Sequence, residues 1–417
     1  MKAMGFGMNK TRVDDFSVLL LSLIIIIINE PFLSRIIQGA GILALMALFM
    51  LVNIRRFIQN GVLKNNALLL GALYIGLEVL YGILGLSNTS LIYYYYRISF
   101  LFFAIAVTPI VGSFTKRQQN IILIAIIGSV LVMMVTNIQL SNKYGAYYIR
   151  LVDYYNGRTN IINTQYVSSL VVFCGVLLAK IRESKKNNLI ALGVLLFSIY
   201  FVIAIGQRLT AILLLFATLM AQIAFSGKKS TKKYLDILAI LIIGIGLAVN
   251  YETVLRWVAT TLNNARLTHR INQMLYALNS RGIEGSGGSL EVRYNLVITS
   301  LRTFTSSVPR ILFGAGDHTS NDLIIGNHSQ WIDQLAKFGI LGSALLFFTI
   351  KKCFKDLMRS MELKKGNELY SHYLIIVVYF ILRGLLGNVL YPYFGIMLFV
   401  FMPIIFQRIK SEKYIGG

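Results

Sequence analysis

The stretch NIILIAIIGSVLVMMVTNI, Asn120–Ile138, decides the fold class. It contains no charged residue and follows directly on Lys116, Arg117 and two glutamines. At 1.5 Å per residue, a helix of this length covers about 30 Å, the thickness of the hydrocarbon layer of a bilayer. Working outward in both directions, apolar runs of roughly 17–22 residues recur, each bounded by Lys, Arg or Asn. They place spans near 16–33, 37–54, 67–86, 92–112, 120–138, 161–179, 189–205, 209–225, 234–250, 329–350, 369–388 and 389–407. The expectation is an all-α polytopic membrane protein with about twelve transmembrane helices.

Composition agrees. Of 417 residues, 56% are hydrophobic and only 14% charged, too few polar groups to cover a soluble chain of this length. The run after Lys2, Lys10 and Arg12 resembles a signal peptide, but Glu30-Pro31-Phe32 follows it in place of a small-residue cleavage site, so it reads as a retained span. The net charge of +23 would suit nucleic acid on a soluble protein. Here the charges fall in short clusters between apolar runs, without stacking aromatics beside them, and no nucleic-acid partner is expected.

Those clusters orient the chain. With the N-terminus inside, the inner segments carry Arg55, Arg56 and Lys64; Lys116 and Arg117; and Lys180, Arg182, Lys185 and Lys186. Further along come Lys228, Lys229, Lys232 and Lys233, then the 351–365 segment from Lys351 to Lys365, then Arg408, Lys410 and Lys413. Basic residues concentrate on the cytoplasmic side of membrane proteins, so both termini are expected in the cytoplasm. The chain then divides into nine spans over 16–250, a large outer segment at 251–328, and three spans over 329–407, all within one membrane domain, 1–417.

The outer segment carries Arg256, Arg266, Arg270, Arg281, Arg293, Arg302 and Arg310, and no lysine. Arg offers a planar fork of donors that grips phosphate or carboxylate through two bonds at once. Taken singly, these residues are equally compatible with helix caps or pairs to Glu252, Glu284 and Glu291. Val254, Leu255, Val258, Leu262 and Leu267 are spaced for one helical face. Glycines in RGIEGSGGS (281–289) break the chain, and a second amphipathic helix follows with Leu290, Tyr294, Val297, Ile298 and Leu301 on its apolar side. Pro309 and FGAGDH (313–318) are expected to end that helix, and the loop helices to pack on the bundle mouth and build a cavity.

Two arginines interrupt apolar runs. Glu78 is the natural partner for Arg97, while Arg383 has no evident acid. Asp333 and Lys337 are spaced to pair along a helix. Cys174, within a span, and Cys353, in an inner loop, are not expected to meet. No phosphate-binding loop or metal-ligand pattern is present, so no metal or other cofactor is expected.

Residues 327–348 read NHSQWIDQLAKFGILGSALLFF. Nine residues separate Ser329 from Gly339, and two separate Gly339 from Gly342. This resembles the outer-loop signature of the O-antigen ligase and polymerase superfamily, with Ser343 as a small departure. Upstream, SLEVRYNLVITSLRTF and the following LFGAGDH look like the Arg-bearing segment before that signature, and GQRLTAILLL (206–215) resembles the family's Arg segment between two middle spans. Ligases prefer Gly where this chain has Ile212, which favours the polymerase branch.

The resemblance implies a GT-C-like, metal-independent glycosyltransferase that polymerises undecaprenyl-diphosphate-linked repeats into O-antigen, capsule or exopolysaccharide on the outer face of the cytoplasmic membrane. A chain-length regulator and a flippase are its implied partners. In that chemistry Arg208 and Arg293 stabilise the diphosphate leaving group, and His328 takes the acceptor's proton. Arg302, Gln330, Gln334 and Arg383 are candidates for substrate binding. Taken alone, His328 is also compatible with a helix-start residue bonded to a loop carbonyl, Arg208 with an anchor at the membrane surface, and Asp317 or His318 with the base. An O-antigen ligase is the alternative within the chemistry. A polysaccharide flippase or secondary transporter is the alternative outside it, although transporters favour paired, Gly- or Pro-broken spans and internal symmetry, which the sequence does not display.

Overall fold

The computed structural model describes residues 10–59, 61–62, 65–86, 91–144, 164–184, 188–204, 209–225, 289–316 and 325–415, with scattered positions between 252 and 276. The span expected at 234–250 and the candidate Arg208 lie outside these residues, as do Asp317, His318 and Asp322. No strand occurs among the described residues.

The helices are α1 (Lys10–Asn29), α2 (Pro31–Val52), α3 (Ile54–Gln59), α4 (Asn66–Ile83), α5 (Leu91–Leu101), α6 (Thr108–Val111), α7 (Lys116–Tyr144) and α8 (Thr164–Glu183). After these come α9 (Leu189–Ala204), α10 (Leu209–Phe225), α11 (Ser289–Thr305), α12 (Val308–Phe313), α13 (Gln330–Ser360), α14 (Glu368–Leu385), α15 (Pro392–Ile396) and α16 (Met402–Ile415). Among the described residues, six helices are long and apolar enough to cross a membrane: α4, α7, α8, α13, α14 and the continuous run Pro392–Lys413. Four shorter apolar helices accompany them. The polarity is that of a bundle in lipid. Ile83, Ile124, Ile190 and Phe347 are exposed, whereas Asn29, Glu78, Gln222 and Arg383 are buried.

Several expected boundaries move. The first two helices meet at the single residue Glu30, because Pro31 cannot continue the ladder of α1 and instead opens α2. Two spans contain π-helical turns, Phe102–Val107 and Met397–Phe401. These turns face each other across the core, where Thr108 Oγ1 donates to the Phe103 carbonyl at 3.0 Å and the Phe399 carbonyl at 3.3 Å. Cys353 lies buried within α13 and not in a loop, and neither it nor Cys174 forms a disulfide. Pro309 does not end the amphipathic outer helix: α11 stops at Thr305, and Pro309 occupies the first turn of α12.

The charged helix ends gather at one end of the bundle. Arg56 pairs with Asp14, and Gln118 donates to Asp15 at 2.8 Å. Arg408 reaches Asn120 Oδ1 at 2.5 Å. Lys180 pairs with Glu412 at 2.7 Å, and Lys413 bridges Glu183 and Glu368. Lys410 pairs with Glu362 at 2.9 Å, and Asn65 reaches Asp356 at 2.8 Å. These links connect the segments that carry the basic clusters near 56, 116–120, 180–183, 356–368 and 408–413; the 228–233 cluster lies outside the described residues. The opposite end holds the start of α13, the end of α14 and helices α11 and α12.

Candidate functional site

The wall of the site is a half-helix. Gly339 in α13 has φ 61° and ψ −166°, far from helical, and splits it into a short piece at 330–338 and a long one at 340–360. The sequence suggested no Gly-broken span, yet α13 is one. A break strands carbonyls, and these are satisfied from outside the helix. Ala315 N donates to Ala336 O at 2.8 Å and Gly316 N to Lys337 O at 2.9 Å. The Gly314–Gly316 turn is therefore the cap of the broken helix. Close approach demands the glycines. A Cβ on Gly339 would lie 2.4 Å from the Leu312 backbone, and one on Gly314 would lie 2.3 Å from Lys337 O. Both glycines have positive φ, which suits Gly alone at so tight a crossing.

The N-terminus of the half-helix is anchored twice. Ser329 caps it, its hydroxyl accepting from Ile332 N. Asp333 is buried, with one carboxylate oxygen accepting from Ser300 Oγ at 2.6 Å and the other from Ser329 N at 2.7 Å. Ser300 Oγ also accepts from Gly326 N at 2.9 Å. This chain of bonds ties outer helix α11, the return loop and α13 together, and the carboxylate sits favourably near the helix N-terminus. On the other side, Trp331 Nε1 donates to Ile381 O at 2.7 Å. Its indole fills the space over Gly384, where an added Cβ would come within 2.2 Å.

A cavity of about 90 Å³ opens beside this half-helix. Residues one turn apart on α13 (Gln330, Asp333, Gln334 and Lys337) form one wall, all of them buried. Tyr96 and Arg97 of α5 face them. The rest comes from Asn327 of the return loop and from Asn388, Leu390 and Tyr391 ahead of α15. The rings of Tyr96 and Tyr391 lie 4.5 Å apart. Helix α11 braces the half-helix, and the described lining comes from α5, α13, the return loop and the segment ahead of α15.

Both Gln330 and Gln334 thus line the cavity. His328 is exposed, on the loop between the lining residues Asn327 and Gln330, and immediately before the Ser329 cap. Asn327 takes a left-handed conformation, φ 55°, tolerated by Asn, to turn the chain there. Arg97 pairs with Glu78, as the sequence suggested. Arg383 is buried without a described acidic partner: Nε donates to Ser168 Oγ at 2.7 Å, and Nη1 has no hydrogen-bond partner among the described residues. That guanidinium packs on Gly387, whose carbonyl accepts from Gln330 N at 3.4 Å, so it stands directly behind the cavity. Arg293 of α11 is close enough to Arg383 for their charges to repel. Arg302 is exposed, nine residues and half a helical circumference from Arg293, and is not brought to the cavity.

Sequence reading missed Ser300 and Asp333 as fasteners and Tyr74 as a partner of Gln334. The Ser300–Asp333 and Tyr74–Gln334 bonds join segments far apart in sequence, so no local pattern marks them. Among the described residues no group of His, Cys, Asp and Glu could hold a metal ion. No protein-family model and no curated protein matches the chain.

Proposed function

We propose that the chain is a membrane glycosyltransferase that polymerises undecaprenyl-diphosphate-linked oligosaccharides at the end of the bundle opposite its basic face. One cavity supports this reading: Gln330 and Gln334 line it, the exposed His328 lies on the loop between its lining residues Asn327 and Gln330, and Arg383 packs on Gly387 next to it, within electrostatic reach of Arg293. A buried guanidinium costs several kcal/mol unless an anion or water compensates it. A diphosphate is such an anion, and its charge grows as the glycosidic bond breaks. In this scheme His328 accepts the proton of the acceptor hydroxyl while that oxygen attacks the anomeric carbon. The bond to the diphosphate breaks, its electron pair leaves with the carrier, and the arginines stabilise the product anion. The proton passes from His328 to solvent.

Deleting the gene in its native cell tests the class. A polymerase predicts single repeats where long chains stood. Full-length chains stranded on the carrier would indicate a ligase, and single repeats trapped on the inner leaflet a flippase; either result removes the polymerase reading.

Two expectations accompany it. Arg293→Lys and Arg383→Lys should each slow transfer by about 10²-fold, since a point charge does not replace a bidentate fork at a developing anion. Arg359→Lys, 60% exposed at the basic end, should leave the rate unchanged, and so should Arg302→Lys. Full rates in both the Arg293 and Arg383 variants at equal protein level would remove the clamp. The second expectation concerns orientation. With both native cysteines buried, Ser286→Cys should react with an impermeant maleimide in intact cells and Arg359→Cys only after permeabilisation. The reverse pattern would invert the topology and exclude outer-face chemistry.

A further inference from the structure

Gln334 is 2% exposed and lines the cavity, yet its amide is only half satisfied. Oε1 accepts from the Tyr74 hydroxyl at 3.2 Å, while Nε2 has no partner among the described residues. Tyr74 is itself fully buried, its ring set edge-on to Phe338 at 6.3 Å, so the hydroxyl is a fixed latch. By giving its proton to Oε1 it sets the sense of the amide, with oxygen toward Tyr74 and the NH₂ left for an occupant. A buried donor without an acceptor is unfavourable. This one is organised for a ligand atom that accepts.

The neighbouring groups share that bias. Arg97 and Lys337 on the same walls are donor-only side chains. The one carboxylate among the lining residues, Asp333, already accepts through both oxygens from Ser300 and Ser329. Asn327, Gln330, Asn388 and the two tyrosines carry both donors and acceptors, so the excess of donors comes from Gln334 Nε2, Arg97 and Lys337. A carbonyl or carboxylate oxygen has only acceptor capacity and suits such a wall. The ring pair Tyr96–Tyr391 adds an apolar platform of the kind that a pyranose face covers.

We infer that Gln334, oriented by Tyr74, is a specificity-determining residue selecting a pyranose that carries a carbonyl-type oxygen: the acetamido group of an N-acetylhexosamine or the carboxylate of a uronic acid. This rests on the glycan reading above and names the sugar class for that cavity.

The test is equilibrium binding to the full chain in nanodiscs. The chain has two tryptophans, so Trp257→Phe leaves Trp331, on the half-helix itself, as the sole indole reporter. The probes are N-acetylglucosamine, glucuronate, glucose and inorganic pyrophosphate. The acetamido sugar or the uronate should saturate at concentrations about tenfold below glucose, and whichever does so identifies the source of the oxygen. Gln334→Glu should weaken that sugar by about tenfold or more, and pyrophosphate should still saturate, although more weakly because of the added carboxylate, which reports a folded protein. Tyr74→Phe frees the amide to turn over, so the preference over glucose should shrink to about threefold or less with binding retained. Equal binding of glucose, a Gln334→Glu titration matching the parent, or no saturable sugar would overturn the inference. Binding with this selectivity but no transfer activity would leave it standing and remove the polymerase reading. Transfer by Gln334→Glu with unaltered sugar preference would do the reverse.

Discussion

His328→Ala is expected to cut glycan transfer by about 10²–10⁴-fold, the usual cost of losing a general base, and to leave single repeats on their carrier. The structure separates this loss from unfolding. His328 is exposed, and the fasteners around it do not use its side chain: Gly326 N binds Ser300, Ser329 N binds Asp333, and the Ser329 hydroxyl caps α13. The variant should therefore insert, express and melt like the parent. The measurement is initial rate with purified lipid-linked repeat, alongside glycan ladder length in cells. Near-parental transfer by the variant would discard the role and pass it to Asp317, His318 or Asp322.

Gly339→Ala should be comparably damaging for a different reason. At φ 61°, ψ −166° a side chain costs about 1–3 kcal/mol in backbone strain alone. Its Cβ would also meet backbone of Leu312 at 2.4 Å and Gly314 N at 2.6 Å, and no rotamer change relieves a clash with main chain. Relief requires either a straightened α13 or an ejected 312–316 turn. Both outcomes release the carbonyls of Ala336 and Lys337 and shift the wall that carries Gln330 and Gln334. A displacement of about 1 Å at a positioned site can cost roughly 10²-fold in rate. Thermal stability in detergent should drop together with transfer. Gly76→Ala is the control, because its Cβ would meet nothing within 4 Å. Parental rate and stability in Gly339→Ala would show that the crossing does not shape the site.

The membrane class and the gathering of basic clusters at one end were legible from sequence alone. Both rest on local composition, since a run such as 120–138 is costly anywhere but in a bilayer and charge clusters mark the same face at alternate crossings. The Glu78–Arg97 pair was legible too, because a charge in an apolar run needs an opposite charge at matching depth. Spacing alone brought Gln330 and Gln334 to one helical face. Other features depended on contacts between segments distant in sequence. Gly339 reads as one of two signature glycines, but its function as a break appears only where the 314–316 turn crosses it. Asp333 and Lys337 suggest a simple pair by spacing, whereas the Asp333 carboxylate fastens Ser300 and the Ser329 amide. Arg293 and Arg302 look equivalent along one amphipathic helix; packing of α11 on α13 leaves Arg302 exposed and brings Arg293 near Arg383. Composition and periodicity specify what each helix buries. Which buried polar groups meet is decided only when the helices pack, because an unpaired buried donor or acceptor is satisfied by whatever the tertiary arrangement brings within about 3 Å.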